Sequence, residues 1–547
     1  MRFSLLMTAI TAFAVSTVAC AQPAPAPQPP APGAPKLLVV ISVDQFSANL
    51  WDEYRPHFTQ GFARLAQGAV FHNGYQSHAA TETCPGHSTI LTGDHPARTG
   101  IIANVWTDQS APRTDKSVYC AEDEAVAGSN STAYTVSPKH LLVPTLGELL
   151  KTRWPASRNV AVSGKDRAAV MMTGHNVDQR WYWTGQKYDT DLAVSAPLVV
   201  AKVNAAVAAA LAQPREPLEP TPFCQAKARV IPIEGGGKPV GGGQLGRAAG
   251  DTAAFRASPE FDGDTLALAA GLVDEMKLGH GAAPDVLAIS LSATDYVGHT
   301  YGTEGEEMCL QLLELDREIG DFLSLLDSRG IDYAVALTAD HGGKDIPERE
   351  RLAGVSGAVR ASAALRASAM GPKLVAQLGL KGPGLFGDIG GDMYIDRSLS
   401  PADGKKLLAA AVSAYRADPQ VEAVFTAAEL AAAQVPVGSP AGWSLKQRAR
   451  ASFYAPRSGD FIVLLKKDVT PIPDTTRYVA THGSPWDYDR RVPILFWRKG
   501  MTASAHEEPV ETVDIMPTLA TLLGICLDSP AEVDGNRLSS VGGVICD

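Results

Sequence analysis

The chain has 547 residues, 45% hydrophobic and 20% charged, a balance that excludes wholesale disorder, a coiled coil and a polytopic membrane protein. Lys and Arg number 48 against 59 Asp and Glu, a net charge of −11. With no long basic run, nucleic acid is a poor candidate partner. An acidic protein that handles anions needs its positive charge concentrated locally, for instance as bound metal.

Residues 1–21 carry the three parts of a secretory signal peptide: Arg2, the apolar stretch from Phe3 to Ala19, and the small-residue site Ala19-Cys20-Ala21 before Gln22. The run is short for a membrane anchor and has no positively charged stop. A lipid-modified Cys20 is disfavoured by Thr17, which stands where that signal wants Leu. The expectation is a periplasmic or secreted chain with no membrane span once processed. Cleavage leaves Cys84, Cys120, Cys224, Cys309, Cys526 and Cys546. An even number in an oxidising compartment permits up to three disulfides, with the pairing open and buried thiols an alternative for Cys84 and Cys309.

Residues 22–35 are half proline and favour extended polyproline II, a linker that buries nothing. The fold is expected over 36–547. Lys36-Leu-Leu-Val-Val-Ile-Ser-Val43 is continuously apolar and β-branched, as suits a strand buried on both faces. Similar runs recur at Asn159–Ser163, Asp285–Leu291, Tyr333–Thr338 and Val492–Trp497. Between two of them, Met308, Leu312, Leu315, Ile319, Phe322 and Leu326 repeat with the helical period. A further helix is expected around Val513–Leu523. Strand, helix and buried strand imply an α/β fold: a mostly parallel central sheet flanked by helices. Two stretches, about 175–280 and 345–475, interrupt the rhythm and read as insertions.

Ligands of an open α/β sheet bind beyond the carboxyl ends of its strands. There the first strand delivers Asp44, the Asp285–Leu291 run leads to Asp295 and His299, and the Tyr333–Thr338 run leads to Asp340 and His341. Asp and neutral His are ready ligands for divalent zinc. Asp295 and His299 share one face if their segment is helical. A lone Asp after a strand is commonly a helix cap; recurrence at three strand ends is what points to metal. In Thr83-Cys-Pro-Gly-His-Ser-Thr89, Pro85 is expected at the first helical position. That places Thr83 at the amino end of a helix, where free N–H groups favour anions, as a nucleophile or merely a cap.

The set Val43-Asp44, Thr83–Thr89, Asp295-xxx-His299, Thr338-Ala-Asp-His-Gly342 and Thr481-His482-Gly-Ser resembles the alkaline phosphatase superfamily, in particular its bacterial threonine-nucleophile branch. The motifs stand in the right order over most of 36–547. The resemblance implies an alkaline phosphatase-like sandwich and two Zn2+ ions. One is held by Asp44, Asp340, His341 and the Thr83 oxygen, the other by Asp295, His299 and His482. It also implies that Lys165 and Arg167, in Ser163-Gly-Lys-Asp-Arg167, and Asn104, in Ile102-Ala-Asn-Val-Trp106, grip the non-bridging phosphate oxygens. The implied activity is hydrolysis of small-molecule phosphate monoesters through a phosphothreonine, releasing inorganic phosphate. A sulfatase is disfavoured because its Cys/Ser-x-Pro-x-Arg motif is missing, and no carboxylate set suggests a third, magnesium site. Two alternatives stand beside this: a phosphodiesterase or nucleotide pyrophosphatase with the same metal core, and a catalytically silent metal- or anion-binding protein. The physiological substrate, pH optimum, oligomeric state and roles of the insertions are not legible.

Overall fold

The structure, a computed structural model, describes residues 29–546. The expected signal peptide and residues 22–28 of the proline-rich stretch lie outside the described residues. The end of that stretch is not free of the fold: Ala31 N–H donates to Leu523 O at 3.1 Å and Pro35 is buried.

Leu37–Val43 lies at the centre of a ten-stranded sheet. It pairs in parallel with Asp285–Leu291 on one side and Tyr333–Thr338 on the other. Asn159–Ser163 and Gln179–Trp183 continue the parallel part beyond Asp285–Leu291. Arg491–Arg498 joins the other edge antiparallel, beside Ala69–Tyr75. Residues 179–183 therefore extend the central sheet although they fall inside the stretch expected as the first insertion. The run at Val492–Trp497 is a strand of the same sheet, but its direction is reversed.

The central strand shows why its sequence has no polar alternation. Leu37, Val39, Ile41 and Val43 point into one core, and Leu38 and Val40 into another. The first core is capped by helices Pro259–Met276 and Glu306–Ser328, the latter burying all six residues of the expected apolar face. The second is covered by helices Thr83–Thr92 and Ile515–Leu522 through Ile90, Leu91, Ile515 and Leu519. Such two-sided cover is what a parallel strand requires.

Within 345–475 a four-stranded antiparallel sheet, Leu385–Phe386, Gly391–Ile395, Phe461–Leu465 and Val421–Thr426, packs with helices Ala367–Leu378 and Pro401–Arg416 around a third core. All six cysteines among the described residues are joined: Cys84–Cys120, Cys224–Cys309 and Cys526–Cys546. Cys84 and Cys309 are thus disulfide partners, not buried thiols. Among the described residues no helix is long and apolar enough to cross a membrane.

Candidate active site

Because the four strands before Asp44, Lys165, Asp295 and Asp340 run parallel, their carboxyl ends meet on one edge of the sheet. Asp44 follows its strand directly, and its Oδ1 accepts from Ser290 Oγ at 3.0 Å. Asp295 and His299 both lie on helix Ala293–Tyr301, one turn apart, with His299 Nε2 3.3 Å from Asp295 Oδ1. Asp340 and His341 occupy the loop after Tyr333–Thr338, and His482 enters from the loop before Arg491–Arg498. His482 Nε2 is 3.4 Å from the same Asp295 oxygen.

Two groups of potential ligand atoms result, each within 4.8 Å: Asp295, His341 and His482 in one, Asp44, His87 and Asp340 in the other. The partition differs from the expected one. His341 turns its ring onto His482, centroids 3.5 Å apart, while its Nε2 stays 3.2 Å from Asp340 Oδ2. Adjacent residues in a loop diverge, so His341 sits between the groups. His87 joins Asp44 and Asp340, with its nitrogens 3.4 and 3.3 Å from them. Sequence reasoning missed it, because a histidine inside a buried helix reads as core.

The histidine tautomers are set by backbone carbonyls. His299 Nδ1 meets Ala480 O at 2.8 Å, His341 Nδ1 meets Gly342 O at 2.8 Å and His482 Nδ1 meets Thr81 O at 2.9 Å. Carbonyls only accept, so each Nδ1 carries a proton, which leaves Nε2 as the nitrogen that faces the carboxylates. This is how metal-ligating imidazoles are held. His341 Nε2 and Asp340 Oδ2 are buried without a hydrogen bond. Burial opposes ionisation of Asp340 and Asp295. It is outweighed by His341 and His87 around Asp340, and by His299 and Lys165 around Asp295, so both carboxyls fall well below their ordinary range. The donor set of carboxylates and imidazoles fits zinc.

Thr83 is the first residue of helix Thr83–Thr92, after Glu82 at the cap position, so it is not the cap. Pro85 stands third rather than first. That position suits it as well, since none of the first helical N–H groups has a partner within the helix. Arg167, in the first turn of helix Asp166–Thr173, donates from Nη2 to Thr83 Oγ1 at 3.3 Å. Asn104 Oδ1 accepts from Cys84 N–H at 2.7 Å, which turns the donating end of its amide away from that helix. Lys165 Nζ lies 2.9 Å from Asp44 Oδ2 and 2.5 Å from Asp295 Oδ2. Burial works against its charge, but Asp295 and Asp44 hold its pKa above the ordinary value. The six other expected ligands and the three expected phosphate-gripping residues thus gather with Thr83 at one edge of the sheet. A cleft of about 1030 Å³ lies beside Asn104 and His482, lined also by Glu82, Tyr478 and, from the 345–475 stretch, Arg366 and Phe386.

Residues 38–485 match the family described as type I phosphodiesterase / nucleotide pyrophosphatase. The chain is 52% identical to alkaline phosphatase PhoK of a Sphingomonas species over 93% of its own length and 92% of that protein's. It is 49% identical to alkaline phosphatase PhoD of Zymomonas mobilis, covering 92% and 88% of the two chains. The crystal structure of wild-type alkaline phosphatase PafA superposes with a TM-score of 0.81 at 25% identity, covering 93% of this chain and 99% of that one. The chain therefore belongs to the type I phosphodiesterase / nucleotide pyrophosphatase family of the alkaline phosphatase superfamily.

Proposed function

We propose that the protein is an exported, zinc-dependent alkaline phosphatase that hydrolyses small phosphate monoesters, with Thr83 as nucleophile. The observation that carries this reading is the placement of Thr83 Oγ1 against the Arg167 guanidinium, at a helix amino terminus flanked by two buried carboxylate–imidazole groups. The names of the relatives at about half identity support it. Three disulfides support an oxidising compartment.

Asp44, Asp340 and Thr83, with His341 from its place between the two groups, would hold one Zn2+, and Asp295, His299 and His482 the other. Bound there, zinc lowers the pKa of a hydroxyl and stabilises negative charge on a leaving oxygen. Thr83 gives up its hydroxyl proton to solvent and its Oγ1 bonds to phosphorus as the P–O bond to the ester oxygen breaks in line, the leaving oxygen taking a proton from solvent to depart as the alcohol, giving a phosphothreonine. Water cleaves that ester and frees inorganic phosphate. Arg167 offers a planar fork to two phosphate oxygens, Lys165 a point charge and Asn104 an amide. With three non-bridging oxygens and two negative charges, a monoester uses all of these donors.

The family's description keeps a phosphodiesterase as the second reading. A diester has one charged oxygen fewer and gains less from the same donors. A silent binding protein would have no need of a hydroxyl at position 83. The test is metal removal: dialysis against a chelator should abolish hydrolysis of an aryl phosphate, and two equivalents of zinc should restore it. Full activity in protein shown to be metal-free would refute the reading.

A further inference from the structure

The residue after Asp44 carries no expected role, yet it has the least ordinary backbone of the site. Gln45 has φ 65°, in the left-handed region that non-glycine residues avoid unless the surroundings impose it. It is 2% exposed. Its backbone N–H donates to Asp340 Oδ1 at 3.1 Å, and its side-chain Nε2 donates to Asp295 Oδ1 at 3.0 Å. Those carboxylates belong to different groups of ligand atoms. One residue thus has its main chain on one group and its side chain on the other. The gap between them is set by the covalent length of a glutamine.

The neighbouring motifs are shaped around this side chain. Gly298, between Asp295 and His299, leaves no room for a Cβ, which would fall 1.6 Å from Gln45 Oε1. Gly343, two residues beyond His341, would bring a Cβ 2.6 Å from Gln45 Cγ. Both ligand-bearing segments therefore close on the amide from opposite sides. With a left-handed φ, Gln45 keeps its N–H on Asp340 while its side chain reaches Asp295.

We propose that Gln45 is a positioning residue that fixes the spacing and carboxylate orientation of the two zinc sites, acting through Asp295 and Asp340 and touching neither substrate nor metal. The proposal rests on the reading of the site given above. In-line displacement between two metals needs them at a set separation, and hydrogen bonds that orient ligating carboxylates are worth ten- to a hundredfold in metal affinity.

The test is zinc titration of the metal-stripped full chain against a chromophoric chelator, for wild type, Gln45→Met and Gln45→Gly, with the thermal midpoint of each metal-free protein. Met keeps the bulk and removes the donor. Gly removes the donor and relieves the left-handed backbone. Both variants should bind zinc at the Asp295 site about ten- to a hundredfold more weakly, with the Gly variant's metal-free midpoint no lower than wild type's. Monoester kcat should fall more than KM rises. Affinities within twofold of wild type in the Gly variant would overturn the proposal. So would losses that merely follow a lower metal-free midpoint in both variants. A wild type that binds no zinc would overturn the zinc reading itself, and the role of Gln45 with it. The Gly variant decides if the Met variant does not fold.

Discussion

Arg167 reaches Thr83 with a single hydrogen bond, Nη2 to Oγ1 at 3.3 Å. The guanidinium that would bind phosphate therefore already touches the atom that would attack it. Arg167 is held in place by the first turn of its helix, where Asp166 accepts from Tyr119 and Tyr134 hydroxyls, each at 2.7 Å. Preorganisation of this kind favours charge that develops during reaction over charge already solvated.

Thr83→Ala removes the nucleophile but not the helix terminus or the carboxylates. Monoester kcat should fall at least about a thousandfold, while zinc content and inorganic phosphate binding persist. Thr83→Ser keeps the hydroxyl but loosens its rotamer, and activity should stay within about tenfold of wild type. Steady-state kinetics with metal analysis separate the cases. An alanine variant with near-normal turnover would remove Thr83 from the chemistry.

Lys165→Ala and Arg167→Ala should act on monoesters more than on diesters. Each charge-assisted contact contributes about 1.5–3 kcal/mol, roughly ten- to a hundredfold in rate. Comparing kcat/KM on an aryl monoester and its methyl diester checks this. Equal losses on both substrates would mean the pair only supports the fold.

Cys84–Cys120 ties the residue after Thr83 to the hairpin that carries Asn104, and Cys120 N–H donates to Asn104 O at 2.9 Å. Replacing both cysteines by alanine should cost about 2–4 kcal/mol of stability and loosen Asn104, so monoester KM should rise. Denaturant unfolding and kinetics on the same variant show whether the two effects travel together. An unchanged KM at lowered stability would make the bridge purely structural.

The legible parts of the sequence were those where one physical demand dominates. Leu37–Val43 reads as a buried strand because cores on both faces demand apolar side chains at every position but Ser42. Ala69–Tyr75 escaped notice because His72, Asn73 and Gly74 interrupt its pattern. The direction of Arg491–Arg498 could not be read, since periodicity is the same both ways along a strand. Asp44, Asp295 and Asp340 stood out by following strands. His482, in a loop without periodicity, was found through resemblance alone. His87 and Gln45 had no local signal: their roles exist only when separate segments meet, as Gln45 and Asp340 do across 295 positions.

Away from the metal ligands, His95 is buried between Glu511 at 2.9 Å and Asp534 at 3.0 Å. Burial opposes its charge, but Glu511 and Asp534 prevail, moving its pKa from 6.5 up to about 10. A raised folded-state pKa means the bound proton stabilises the fold fully below about pH 6.5, and that this contribution is lost as pH rises through about 10. His95→Gln should therefore be less stable than wild type by about 3 kcal/mol at the acid end of this window, the gap closing toward its alkaline end. Unfolding curves across the window test the sign. A gap that widens with pH would contradict it.

This member of a family named for phosphodiesterases is proposed to be a monoesterase. The most direct measurement is the ratio of kcat/KM for an aryl phosphate to that for the corresponding methyl aryl diester, on the zinc-loaded full chain. With Arg167, Lys165 and Asn104 each contributing to a dianion, a preference for the monoester of about a hundredfold or more is expected. Equal rates, or a faster diester, would contradict it.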